Sequence, residues 1–226
     1  MKKHFQGIYL AMAVILIIHS CAPAYVPNTI NTPLLTNNGE IQVALNAGLS
    51  GFDPQATYAI SDNIGVMLNG SFADRTSDSS DNFHKHRFLE IAPGYYQTIG
   101  NSGRFEVFGG YGFGRLQAEY ESLWMSRSDV NSNRIFLQPT IGAVTDIFDG
   151  SLSTRFVLVT LHEDDTRNSG LFFEPVLTGK LGYKNIKGIM QFGLSLPLNS
   201  DEIQFEFQPL LFSIGLQFTI NRNFNK

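Results

Sequence analysis

Cysteine is almost absent from this chain: Cys21 is the only one in 226 residues. A disulfide framework is thereby excluded. Charge is scarce too. Asp, Glu, Lys and Arg make up 16% of the residues, against about 25% in ordinary soluble domains, too little to coat the outward faces of a soluble sandwich. No long apolar run is present either. Residues 8–18 (IYLAMAVILII) would make about 16 Å of helix against a hydrocarbon core of about 30 Å, which disfavours a transmembrane helix. A phosphate-binding glycine loop is lacking, because Gly109-Gly110-Tyr111-Gly112-Phe113-Gly114 lies in a strand-like stretch that no helix follows.

The N-terminus carries an export pattern. Lys2, Lys3 and His4 precede the apolar run, as in a secretory signal peptide. Ile18-His19-Ser20-Cys21 resembles the lipobox of bacterial lipoproteins, with His19 as a departure. The resemblance implies that residues 1–20 are removed and that Cys21 is lipidated. Loss of two lysines leaves 14 basic residues against 20 acidic ones, a net charge of −6, which argues against nucleic acid as a partner.

Residues 21–39 contain three prolines and several Asn and Thr, without helical or strand period. They read as an extended tether between lipid and the following domain. The apolar Tyr25-Val26-Pro27 and Pro33-Leu34-Leu35 motivate a second reading, a segment docked in a barrel mouth or on a partner.

From residue 40 onward, segments alternate apolar and polar side chains. Ile41, Val43, Leu45, Ala47 and Leu49 share one face; Gln42, Ala44, Asn46, Gly48 and Ser50 share the other. Ten such strands are expected, at about 40–50, 54–61, 64–74, 86–98, 104–117, 133–145, 151–162, 171–183, 187–197 and 204–220. Short connections alternate with longer polar ones, apart from a tight connection at 50–53. The pattern points to an all-β fold: a closed antiparallel up-and-down transmembrane barrel over residues 40–226, apolar outside and polar inside. Eight strands result if the first hairpin is a plug. The rival is a soluble calycin-like barrel, in which Phe105, Val107 and Phe113 would face inward.

A weak repeat recurs on the descending strands: Glu90-Ile91-Ala92-Pro93, Gln138-Pro139, Glu174-Pro175, Gln208-Pro209 and Asp53-Pro54. Proline cannot donate to a ladder, and a closed barrel has no free edge. Bulges are therefore expected at or beside these prolines. The last strand needs one to keep Phe205, Phe207 and Pro209 on the same face as Phe212, Ile214 and Leu216.

Ser213-Ile214-Gly215-Leu216-Gln217-Phe218-Thr219-Ile220 resembles the C-terminal assembly signal of outer-membrane proteins, with Gly215, Phe218 and Ile220 at its key positions. The family implied is the small outer-membrane β-barrels of Gram-negative bacteria. It implies insertion by the barrel-assembly machinery. The chain departs from the family's usual end by a six-residue overhang, residues 221–226.

Inward positions hold Glu90, Glu106, Gln138, Arg155, Glu174, Lys180 and Gln191, with Gly110, Gly112 and Gly114 leaving room for them. In a narrow barrel such a set is expected to pair internally and fill the lumen; a narrow water path is the alternative. Tyr58, Tyr95, Tyr96, Tyr111 and Tyr183 are candidates for interfacial girdles. Glu90 and Glu106 lie on adjacent strands but lack a matched His or nucleophile, so catalysis is not expected of them. His84, His86, His162 and Asp164 fall in expected outer loops, where a rim enzyme or metal site would have to be built; no omptin-type motif accompanies them. Neither a metal nor a cofactor is expected. Trp124, alone among polar loop residues, is a candidate partner contact. The reading is a non-enzymatic outer-membrane lipoprotein, lipid-anchored and membrane-spanning, structural or accessory in the envelope or a subunit of an envelope complex. Its alternative is a porin-like channel for small solutes, and a rim-located enzyme comes third.

Overall fold

A computed structural model describes residues 23–76, 83–119, 128–163, 166–199, 203, 205 and 207–223; Cys21, Trp124 and Asp164 lie outside the described residues. The strands are β1 (Ile41–Gly48), β2 (Gly51–Ala59), β3 (Ile64–Thr76), β4 (Phe83–Ile99), β5 (Gly103–Glu119), β6 (Ser128–Val144), β7 (Phe148–Glu163), β8 (Thr166–Tyr183), β9 (Ile186–Leu194), the two-residue β10 (Leu196–Pro197) and β11 (Leu210–Ile220). Each of β1 to β8 pairs antiparallel with the next, and β11 pairs with both β9 and β1. β10 keeps the β9 register on β8, since Val176↔Gly193 and Phe173↔Leu196 have the same offset. The wall is therefore a closed ten-stranded up-and-down barrel, and the first hairpin belongs to it.

Alternation sorts the side chains as the sequence implies. Ile64, Leu68 and Phe72, Tyr111 and Phe113, and Met190, Phe192, Leu194 and Leu196 are exposed on the outside. Phe105 and Val107 share the outward phase of Tyr111, which removes the calycin-like alternative. The apolar outer surface stops abruptly. Along the outward positions of β4, Leu89 gives way to Arg87, and on β5 Phe113 gives way to Arg115. From Ile99 to Leu89 is ten residue steps, about 25 Å of height at 3.3 Å per step and a 40° tilt.

Four expectations need correction. First, there are no bulges at the wall prolines. Register is constant across Pro54, Pro93, Pro139 and Pro175. Each proline keeps its place opposite one neighbour (Leu45, Val66, Val107 and Thr154), and pairing lapses beside it on the other neighbour. A strand residue donates its N–H to one side only, so an outward-facing proline costs one ladder bond and no change of register. Second, the last strand begins at Leu210. Phe205 and Phe207 turn inward against the core cluster of Tyr25 and Phe172 instead of facing outward. Third, His84 and His86 lie within β4 and point into the barrel, and the connection expected at 162–170 is mostly strand. Above the apolar surface the outward positions are polar and the inward ones mixed, His84, His86 and Ser132 beside Leu116, Val130 and Leu161, so the alternation is lost and these upper segments resemble loops. Fourth, Tyr96 is no girdle residue: it is buried inside and donates to the Ser61 carbonyl.

Candidate functional site: a lumen filled by the N-terminal segment

Residues 23–39 do not hang free as a tether. They run up the barrel axis, and Tyr25, Ile30, Leu34 and Leu35 are fully buried there. The segment has no strand neighbours along its length apart from one bridge, Tyr25 to Phe207, so its peptide groups need other partners. Lumen side chains supply them. Asp53 accepts from Thr29 N at 2.9 Å, and Gln55 donates to Thr29 O at 2.7 Å. Gln191 clasps Ile30, accepting from its N–H at 3.1 Å and donating to its carbonyl at 2.6 Å. Gln138 donates to Asn31 O, Lys180 to Thr32 O, Gln42 and Arg222 to Pro33 O, and Arg222 also to Leu34 O. Glu106 accepts from Leu35 N at 2.7 Å, and Glu40 from Thr36 N at 2.9 Å.

Above this stretch the contacts pass to side chains. Asn28 Oδ1 accepts from Arg134 at 3.1 Å and Arg155 at 3.0 Å, while its amide donates to Glu90 at 3.2 Å. The Tyr25 hydroxyl donates to Glu174, which also accepts from Ser195 at 2.9 Å. The Arg134 guanidinium lies 4.0 Å from the Phe88 ring centroid and 4.9 Å from that of Tyr25, a placement favourable for cation–π attraction.

The proline repeat now has a physical meaning. Asp53, Glu90, Gln138 and Glu174 all point inward and bond the N-terminal segment, while Gln208 N donates to Tyr25 O at 2.9 Å. Small residues make room for it. A Cβ on Gly65 would come within 2.6 Å of Leu35 Cδ1, and one on Gly142 within 2.8 Å of Leu34 Cδ2. Leu34 itself has φ +53°, an uncommon conformation for a bulky residue.

All seven polar residues expected in the lumen are buried there: Glu90, Glu106, Gln138, Arg155, Glu174, Lys180 and Gln191. They do not simply neutralise one another, because Glu106 and Lys180 bond the segment's backbone. Glu106 stands opposite Tyr96, six residues along β4 from Glu90, so the two carboxylates serve different parts of the segment. Sequence reasoning missed Glu40, Asp53, Arg104, Arg134, Asp149, Lys187 and Arg222. Most share the inward phase of their strands but lie at strand ends; Arg222 lies in the overhang. Arg222 pairs with Glu40 at 2.8 Å and Asp149 at 3.6 Å, and Lys187 with Asp149 at 2.6 Å, closing the base. Glu90 lies 3.7 Å from Arg134 and 3.6 Å from Arg155. Together the described buried residues include six carboxylates and six Lys or Arg cations.

His84 and His86 bond each other at 3.0 Å, and His86 also meets Ser71 at 3.0 Å; His162 bonds Asn133. Among the described residues no three metal-ligating side chains converge. Gly215, Phe218 and Ile220 lie on the closing strand β11, with Phe218 and Ile220 facing outward. On the outer wall Phe72, Leu89 and Phe113 line a groove of about 640 Å³ topped by Arg87 and Arg115, which stand directly opposite each other. Neither the protein-family models nor the curated proteins contain a match to this chain.

Proposed function

We propose that this protein is an outer-membrane β-barrel lipoprotein with a structural or accessory, non-enzymatic role in the envelope, its lumen closed by its own N-terminal segment. The observation that carries the reading is the outer surface: 36 large apolar side chains are exposed on it, whereas soluble monomers rarely expose apolar patches beyond a few hundred Å². The apolar height of about 25 Å matches that of a membrane-spanning barrel. No described helix is long and apolar enough to cross a membrane. The export pattern, the lipobox resemblance at Cys21 and the assembly signal ending at Ile220 agree with this address and with insertion by the barrel-assembly machinery.

A closed lumen favours the structural reading over the channel. Most groups that would line a water path are bonded to residues 25–36, and five of the six buried carboxylates accept from that segment, the sixth, Asp149, being paired with Lys187 and Arg222. Trp124 stays a candidate contact for an envelope partner. Two measurements test the proposal. The protein should resist alkaline extraction from membranes and require detergent, and purified protein in planar bilayers should show no unitary conductance. Release into the aqueous fraction would defeat the membrane reading, and stable single-channel steps would favour the channel.

A further inference from the structure

The direction in which the N-terminal segment runs has a topological consequence. Both ends of the wall meet at one end of the barrel, where Ile41 pairs with Ile220 and Asn37 donates to the Asn221 carbonyl. The short turns at 60–63, 100–102, 145–147 and 184–185 lie at that same end. Going backwards from residue 39, the partners climb. Leu35 packs beside Gly65, one residue from the start of β3. Asn31 donates to Thr57 and Asn69. Thr29 reaches Asp53, near the far end of β2. Tyr25 reaches Glu174, nine residue steps along β8 from Tyr183.

We infer that the chain before Pro23 leaves the barrel at the end of the longer connections, opposite residues 40 and 220. Resting on the membrane-spanning reading above, this places the processed N-terminus, and the acyl chains that the lipobox resemblance assigns to Cys21, on the outer surface. Chain length supports the assignment. Four residue steps lead from Cys21 to Tyr25, a reach of at most about 14 Å. Nine steps down β8 correspond to about 23 Å of height at the same rise and tilt. Cys21 therefore cannot return to the short-turn end, and the lumen below Tyr25 is filled by the segment itself. At Tyr25 the β1–β2 side of the wall has already ended, at Gly48 and Gly51.

The test uses full-length protein in its own cells, with single epitopes inserted between Ala22 and Pro23, within residues 77–82, or after Lys226. The first two should be recognised on intact cells and the third only after the outer membrane is opened. A separate variant, Tyr25→Cys with Phe207→Cys, reports threading through a disulfide in detergent-purified protein, whatever the membrane topology. Failure of that disulfide would overturn the inference. So would an epitope at 22/23 that stays hidden while the 77–82 epitope is exposed. Simultaneous exposure of the 77–82 and C-terminal epitopes would overturn the membrane-spanning reading and, with it, the surface assignment, even if the disulfide formed.

Discussion

The lower and upper lumen hold the same segment by different means. Below, from residues 29 to 36, side chains of the wall bond mainly peptide groups, and the segment's own side chains add Asn31 bonding Thr57 and Asn69, Thr36 accepting from Arg104, and Leu34 and Leu35 entering the spaces left by Gly142 and Gly65. Above, Asn28 and Tyr25 are read by their side chains, through Glu90, Arg134, Arg155 and Glu174. The lower lumen fixes an extended path, and the upper lumen fixes the register along it. This division of labour can be broken at several points.

Deleting residues 24–36 should have the largest effect. It strips partners from most of the buried charged groups at once, and a buried charge left unpaired costs about 3–5 kcal/mol. Water should then enter, and planar bilayers should show unitary currents that full-length protein lacks. Asn28→Ala and Thr29→Ala compare the two regimes directly. Asn28→Ala removes hydrogen bonds to three charged groups and should cost about 3 kcal/mol. Thr29→Ala should cost under about 1 kcal/mol, because its hydroxyl has no hydrogen-bond partner and its backbone bonds remain. Denaturant midpoints in micelles would separate them; equal losses would refute the contrast.

Gly65→Ala should cost about 1–3 kcal/mol by pressing on Leu35. In a Gly65→Ala/Leu35→Ala double variant the two losses should not add, whereas additivity would place the clash elsewhere. Tyr25→Phe keeps the ring against Phe172 and removes only the donor to Glu174. It should cost about 1–2 kcal/mol by the same denaturant midpoints, and a neutral result would mean that the ring alone sets the register. The smallest effect is expected for Pro175→Val, within about 0.5 kcal/mol, since the register on either side already matches.

The barrel was legible because period-two alternation survives wherever one face is apolar and the other polar, as from Ile41 to Gly48 or Ile186 to Leu194. It faded above Arg87 and Arg115, where the outward positions turn polar as well and strand resembles loop. The docked segment was legible only as a second reading, through the apolar Tyr25-Val26-Pro27 and Pro33-Leu34-Leu35 that the lumen buries: its partners come from strands scattered along the chain, and it has no period of its own. Phe205 and Phe207 misled for the opposite reason. Their alternation is that of an outward strand, yet they close over Tyr25. The traces left in the sequence were the polar residues just ahead of Pro54, Pro139, Pro175 and Pro209, whose common partner only the folded chain reveals.

The seam between β1 and β11 encircles a segment that begins at the very residues leading into β1. With Tyr25, Ile30, Leu34 and Leu35 fully buried among the wall's side chains, a finished ring this full leaves no room for the segment to be drawn through it. The walls must therefore be zipped around the segment while the seam is still open, which makes the order of events in biogenesis a matter of topology: wrapping first, sealing last.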